Sequence, residues 1–229
     1  MPKTISYARQ IIFGLEDSLV STLGVITGIA AGTGNPLIVV LSGFVVIFVE
    51  SISMTAGEYL SSKSEKEILR GTLLERKQAI IDNPAEEKQK LKELYKKQGY
   101  QENELAAIIK RVTSDEELWL EEIGAHELRL GHQYISQPKR GAIYMGISYL
   151  FIGIVPLVAY FFLPIMHSIW VSVVLTAVTL FIIGAIKAKI AKITLWKSGF
   201  EMVVISLAAA AIGFGIGRLV SFIFGIDIA

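Results

Sequence analysis

Five runs of about twenty apolar residues decide what this chain can fold into, because that is the length an α-helix needs to cross roughly 30 Å of hydrocarbon. They cover residues 11–31, 37–60, 143–163, 169–190 and 200–224. The polar residues are segregated from them. Of the 43 charged side chains, 30 lie between Lys63 and Arg140, fifteen of each sign. A mean hydropathy of +0.54 at 19% charged residues therefore averages two kinds of sequence. The pattern predicts an all-α membrane protein with five transmembrane helices and a cytoplasmic helical insert between spans two and three. The chain divides as 1–60 (spans one and two), 61–138 (the insert) and 139–229 (spans three to five).

Five spans put the termini on opposite sides, and the Lys/Arg bias of the short loops sets the orientation. The turns around Thr33 and between Pro164 and Ser168 carry no Lys or Arg, whereas Lys187, Lys189, Lys192 and Lys197 crowd the connection between spans four and five. Lys3, Arg9, Lys63, Lys139 and Arg140 fall on that same side. The N-terminus and the insert are thus expected in the cytoplasm. The first apolar run is a full span without a small-residue cleavage site, so no signal peptide is expected.

Within the insert, Asn83-Pro84-Ala85-Glu86 and Ser114-Asp115-Glu116-Glu117 read as capped helix starts. Gly99 and Gly131 read as stops. Leu69, Leu73 and Leu74, then Leu91, Leu94 and Tyr95, then Leu105, Ile108, Ile109 and Val112 give apolar faces at helical spacing. Neither proline nor glycine lies between Tyr59 and Arg70, so span two is expected to run on into the insert. Pro156 should kink span three and free carbonyls that need partners. Gly24, Gly28 and Gly32, like Ala209, Gly213 and Gly217, form small-residue ridges that suit close helix packing, within one subunit or between two.

Ionisable residues in spans are costly and usually mark a pathway. Glu16, Asp17, Glu50, Glu58, Glu201 and Arg218 are such residues. With a rise of about 1.5 Å per residue, Asp17 and Met54 reach the same depth from the cytoplasmic side. Glu50, Met54 and Glu58 recur at every fourth position and share one face of span two. Carboxylates around a thioether suit Fe²⁺ or Mn²⁺, since the soft sulfur discriminates against Mg²⁺ and Ca²⁺. The bland alternative has Glu16 and Glu58 capping or snorkelling and Met54 filling the core. Arg218 reads as snorkelling outward, and Glu201 as either a helix cap or a pathway member.

The stretch Gly14-Leu15-Glu16-Asp17-Ser18-Leu19-Val20-Ser21-Thr22, followed by Ser51-Ile52-Ser53-Met54-Thr55-Ala56-Gly57-Glu58-Tyr59-Leu60 and Lys63-Ser64-Glu65, closely resembles the signature of the vacuolar iron transporter family, in its prokaryotic type. The five spans, the charged insert and the proline of the third span fit that resemblance. It implies a homodimer in the cell membrane that exports cytosolic Fe²⁺, and often Mn²⁺, in exchange for protons, with Asp17 and Met54 lining the route. It also implies an insert that gathers metal through glutamates. The metal is then cargo, and no permanently bound cofactor is expected. The chain departs from the family pattern at Gln10 and Val46, where acids are common; Glu50 stands one turn from Val46. Around Pro84, Glu87 fits the family's glutamate pattern, but Arg76, Ala79 and Lys90 replace expected glutamates. The last insert helix offers Glu117 and Glu121, Glu122 and His126, and Glu127 as metal ligands. A helix N-terminus also favours acids such as Glu117 for its dipole, and acidic runs often form a solvated face.

Other functions fit poorly. A net charge of +1 gives no nucleic acid a basic face to bind, and a chain without cysteine has no thiolate site. No nucleotide-binding loop is present and histidines number three, so no enzyme is expected. The partners expected are membrane lipid, divalent metal ions and a second copy of the chain. The competing reading is a membrane-anchored metal-binding sensor or scaffold without transport, for which Asp17 and Glu50 inside spans would have no use.

Overall fold

A computed structural model describes residues 7–126 and 137–225, save the side chains at 103, 125 and 126. Among the described residues every regular element is helical: α1 (Ala8–Thr33), α2 (Pro36–Asp82), α3 (Pro84–Lys97), α4 (Glu102–Val112), α5 (Glu116–His126), α6 (Pro138–Ile152), α7 (Ile154–Leu157), a 3₁₀ turn (Val158–Phe161), α8 (Ile165–Ala191) and α9 (Leu195–Phe224). Five helical stretches are long and apolar enough to cross a membrane: α1, α2, the run Pro138–Phe161, α8 and α9. Contacts divide the chain into two units, Met1–Tyr59 with Pro138–Ala229, and Leu60–Gln137.

Local chemistry explains the helix ends. Gly34, at φ +61°, closes α1 in the left-handed conformation that a Cβ would oppose, and its N–H bonds Ala30 O at 3.0 Å. Asn35 Oδ1 then accepts the N–H groups of Leu37 (2.9 Å) and Ile38 (3.3 Å), capping α2 behind Pro36. At 47 residues α2 is about 70 Å long, more than twice the hydrocarbon thickness, and it is unbroken from span two into the insert sequence as expected. It ends where Asn83 precedes Pro84, because the proline ring disfavours the α conformation in the residue before it.

The third span breaks where its proline requires. Pro156 cannot donate to the carbonyl four residues back, and α6 stops at Ile152. Neighbouring hydroxyls serve the disturbed backbone: Ser172 of α8 donates to Pro156 O (2.6 Å), Ser18 of α1 to Tyr149 O (2.8 Å), and Ser168 to Leu163 O (2.8 Å).

Between helices in lipid there is little hydrophobic driving force, so close van der Waals packing must hold them. The two small-residue ridges meet inside one subunit. A Cβ on Gly28 would lie 2.7 Å from Gly213 O, and one on Gly32 3.0 Å from Gly217 O. Since 24, 28 and 32 face 209, 213 and 217 in ascending order, α1 and α9 run parallel. Leu19, Leu180, Ile183 and Met202 form one core between α1, α8 and α9. A second gathers Ile26, Val39, Ile47, Leu157 and Tyr160.

The other unit has its own core of Ile80, Leu91, Tyr95, Leu105, Val112, Trp119 and Ile123. Its helix caps differ from the sequence expectation. Asn83 makes no side-chain cap bond, so α3 starts on Pro84 with Glu86 and Glu87 in its first turn. Asp115, not Ser114, caps α5, accepting the Glu117 N–H at 2.8 Å, while Ser114 Oγ turns back to Arg111 O at 2.7 Å. A reciprocal capping box pairs Gln101 with Glu104 instead. Gly99, at φ +97°, follows the end of α3 as expected; Gly131 lies outside the described residues.

Candidate functional site: carboxylates within the spans

Glu50, Met54 and Glu58 are all half-buried along one face of α2, whereas Ile52, Ser53, Ala56 and Gly57 between them are exposed. Both flanking carboxylates of that face are engaged by neutral donors. Tyr149 of α6 donates a short hydrogen bond from its hydroxyl to Glu50 Oε2, and Ser21 Oγ of α1 donates to the same oxygen at 3.2 Å. Ser21 Oγ and the Tyr149 hydroxyl are themselves 2.6 Å apart. Two turns along, Gln10 Nε2 donates to Glu58 Oε1 at 3.0 Å.

This geometry rests on close helix approach. Ser51 Oγ donates to Gly146 O at 2.9 Å, and a Cβ on Gly146 would collide with the Thr55 side chain. The α6 backbone thus lies against α2 one turn before Tyr149, whose side chain is fully buried. A phenol at that depth needs a partner for its hydroxyl.

Asp17 is half-buried on α1, one turn before Ser21, and Glu16 beside it is half-buried too. Asp17 and Ser21 sit at one end of a groove of about 700 Å³ between α1 and α9, whose walls continue through Gly24, Gly28, Ile216 and Gly217 to Thr33. From Asp17 to Thr33 the groove follows about 24 Å of helix. Glu201 and Arg218 lie on the exposed surface of α9.

The insert glutamates are arranged differently. Glu87 is 4% exposed and takes an ion pair from Lys90 at 2.7 Å. Tyr95 donates a short hydrogen bond to Glu122, and burial, reinforced by that carboxylate, holds the Tyr95 hydroxyl well above its ordinary pKa. Glu117 and Glu121 are exposed. Glu127 and the side chain of His126 lie outside the described residues. Among the described residues no three His, Cys, Asp or Glu side chains converge as a metal-holding group.

Sequence reasoning reached Asp17, Glu50, Met54 and Glu58 but missed Tyr149, Ser21 and Gln10 as their partners. The available signal was a tyrosine in the middle of an apolar span, seven residues before a proline.

Comparison with known proteins gives one consistent result. The sequence model of the VIT family matches residues 8–218. "Vacuolar iron transporter 1" of Eucalyptus grandis is 27% identical over 213 residues, covering 93% of this chain and 86% of the relative. The protein of the same name from Arabidopsis thaliana is 26% identical over 93% of this chain and 85% of its own length. "Protein CCC1" of Saccharomyces cerevisiae is 27% identical over 91% of this chain and 66% of its own. With the five apolar helices, the match over nearly the whole sequence makes this an integral membrane protein that belongs to the VIT family.

Proposed function

We propose that the protein exports Fe²⁺, with Mn²⁺ as a second cargo, from the cytosol in exchange for protons. The observation that carries the reading is the α2 face of Glu50, Met54 and Glu58, half-buried in an apolar unit, with both carboxylates held by hydroxyl or amide donors. A cation beside Glu50 would replace part of its water shell with carboxylate oxygen and, at Met54, with sulfur. That ligand mixture suits Fe²⁺ and Mn²⁺ better than Ca²⁺. Asp17, with Glu16 next to it, supplies the α1 side of the route.

A homodimer belongs to the proposal. Within one copy the described residues bring no three acidic or imidazole ligands together, so a second Asp17 and a second Met54 would enlarge the ligand set. The Asp17 groove along α1 and α9, lined by apolar residues and glycine, suits a second copy or lipid as its cover. The names of the relatives support iron as cargo. The lysines between spans four and five support a cytoplasmic N-terminus and insert. Glu117, Glu121, Glu122 and Glu127, with Glu87 and His126, are the candidates for gathering metal there.

Exchange follows from shared ligands. A carboxylate binds a divalent cation in its deprotonated form, so an arriving ion displaces protons, and protons returning from the far side displace the ion. A sensor anchored by its spans would leave the Glu50 cluster without a task. The test is Fe²⁺ entry into proteoliposomes with the cytoplasmic face outward and the electrical potential clamped. The proposal requires an inside-acid gradient to accelerate entry, and Fe²⁺ entry to drive proton exit. Fe²⁺ entry indifferent to the gradient and without proton movement would leave a passive channel, and no entry at all would leave the sensor.

A further inference from the structure

The hydroxyl pair on Glu50 is more than a way of satisfying a polar group. Each of its hydrogen bonds falls on one oxygen, Oε2, and they come from two different helices, Tyr149 on α6 and Ser21 on α1. With the Tyr149 proton directed at Glu50, Ser21 has a single proton to place, on Glu50 or on the tyrosine oxygen. On Glu50 that proton pins Oε2 from two helices; on the tyrosine oxygen it leaves Oε2 to Tyr149 alone and steadies the phenol that holds it. The pin is itself rigid: the Tyr149 ring is fully buried, and α6 is drawn onto α2 by the Ser51 bond to Gly146 O.

We propose that Tyr149, assisted by Ser21, is a positioning residue for cation binding: it clamps Oε2 of Glu50 so that Oε1 is presented to the passing metal as a single, oriented ligand. The inference rests on the reading above that Glu50 lines the route. Its chemical content is that both donors are neutral. A lysine or arginine at either place would orient the carboxylate equally well but cancel the charge that attracts the cation. Hydroxyls orient it and leave that charge available. Loss of the clamp lets the carboxylate rotate, so the cation must pay for ordering it on binding. The cost should appear in apparent affinity and leave the maximal rate nearly unchanged.

The experiment uses full-length protein in proteoliposomes and follows initial Fe²⁺ uptake against Fe²⁺ concentration for Tyr149→Phe, Ser21→Ala, Glu50→Gln and the double variant Tyr149→Phe/Glu50→Gln. Tyr149→Phe keeps the buried ring and removes one oxygen. It should raise KM about tenfold, the scale of a hydrogen bond to a charged group, with little change in maximal rate. Ser21→Ala, which leaves every α6 side chain in place, should move KM in the same direction by less. In the Glu50→Gln background Tyr149→Phe should add less than about twofold, because residues that act through one another are not additive. Wild-type KM in Tyr149→Phe, with Glu50→Gln impaired, overturns the clamp and leaves Glu50 in the route. An equal effect of Tyr149→Phe in both backgrounds reduces it to packing. Wild-type kinetics in Glu50→Gln remove Glu50 from the route, and the clamp with it.

Discussion

The two units of the molecule hold most of their carboxylates differently, although each has one carboxylate bound by a phenol, Glu50 by Tyr149 and Glu122 by Tyr95. In the unit that carries the spans, Glu50 and Glu58 are half-buried and held by a phenol, a hydroxyl and an amide. In the insert unit lysines hold several exposed glutamates: Lys90 pairs with Glu86 at 2.8 Å, Lys96 with Glu102 at 2.7 Å and Lys77 with Glu116 at 2.7 Å. An exposed ion pair is screened by water and contributes little, about 0–1 kcal/mol. A carboxylate in an apolar surround keeps a strong field when its partners are neutral. The contrast separates exposed carboxylates paired with lysines from half-buried carboxylates held by hydroxyl and amide donors.

That contrast can be broken first at its packing. Gly28 faces the Gly213 carbonyl at 2.7 Å from a would-be Cβ, and backbone cannot swing away. Gly28→Leu should cost about 3 kcal/mol or more, read as a fall in Tm of the detergent-solubilised protein. Gly71 of α2, with nothing within 4 Å of a Cβ, is the control. Gly71→Ala should hold or raise Tm, since alanine favours a helix by up to about 1 kcal/mol. Equal losses at both positions would mean that the α1–α9 ridge is not a tight contact.

Next in size is the thioether. Met54→Ala should lower Fe²⁺ flux at least about tenfold, as loss of a metal-site group commonly does, with Tm little changed. Undiminished flux would return Met54 to core filling. Smaller still is the insert. Glu117→Gln with Glu121→Gln removes two exposed charges and should raise KM for Fe²⁺ no more than about threefold, while the maximal rate stands. Titration calorimetry showing unaltered metal binding would make these residues a solvated face.

The smallest effect is of pH on the insert. Lys90 lowers the Glu86 pKa and Lys96 lowers that of Glu102, in each case chiefly through a direct hydrogen bond. A depressed carboxylate pKa means stabilisation that is complete above the unfolded value and is lost as pH falls through the folded one. Insert helicity by circular dichroism should therefore hold at neutral pH and soften slightly only on acidification below the usual carboxylate range. Softening at neutral pH instead would assign the effect to other groups.

How much of this was legible beforehand depended on whether the signal was local. The spans were legible because crossing length is a property of a single segment, and the unbroken α2 because no helix breaker interrupts residues 59–70. Pro84 announced the helix start it opens. Ser114 misled because both it and Asp115 are good caps, and the preceding helix took the serine for its own C-terminal carbonyl at Arg111. The acids within the spans were legible from cost alone, since lipid tolerates few. Their partners were not, because Tyr149 meets Glu50 across 99 residues, through helix contacts such as that of Ser51 with Gly146. Likewise the two glycine ridges were visible, but their pairing within one subunit depended on the parallel course of α1 and α9.

The central claim is that charge in the span unit carries metal across. Its most direct test is the initial rate of Fe²⁺ uptake into proteoliposomes by Asp17→Asn protein, at matched folded content and under an inside-acid gradient. Asparagine keeps the size and one oxygen of Asp17 but not its charge. The account predicts flux at the level of empty liposomes with Tm and oligomeric state preserved; wild-type flux in that variant would contradict it.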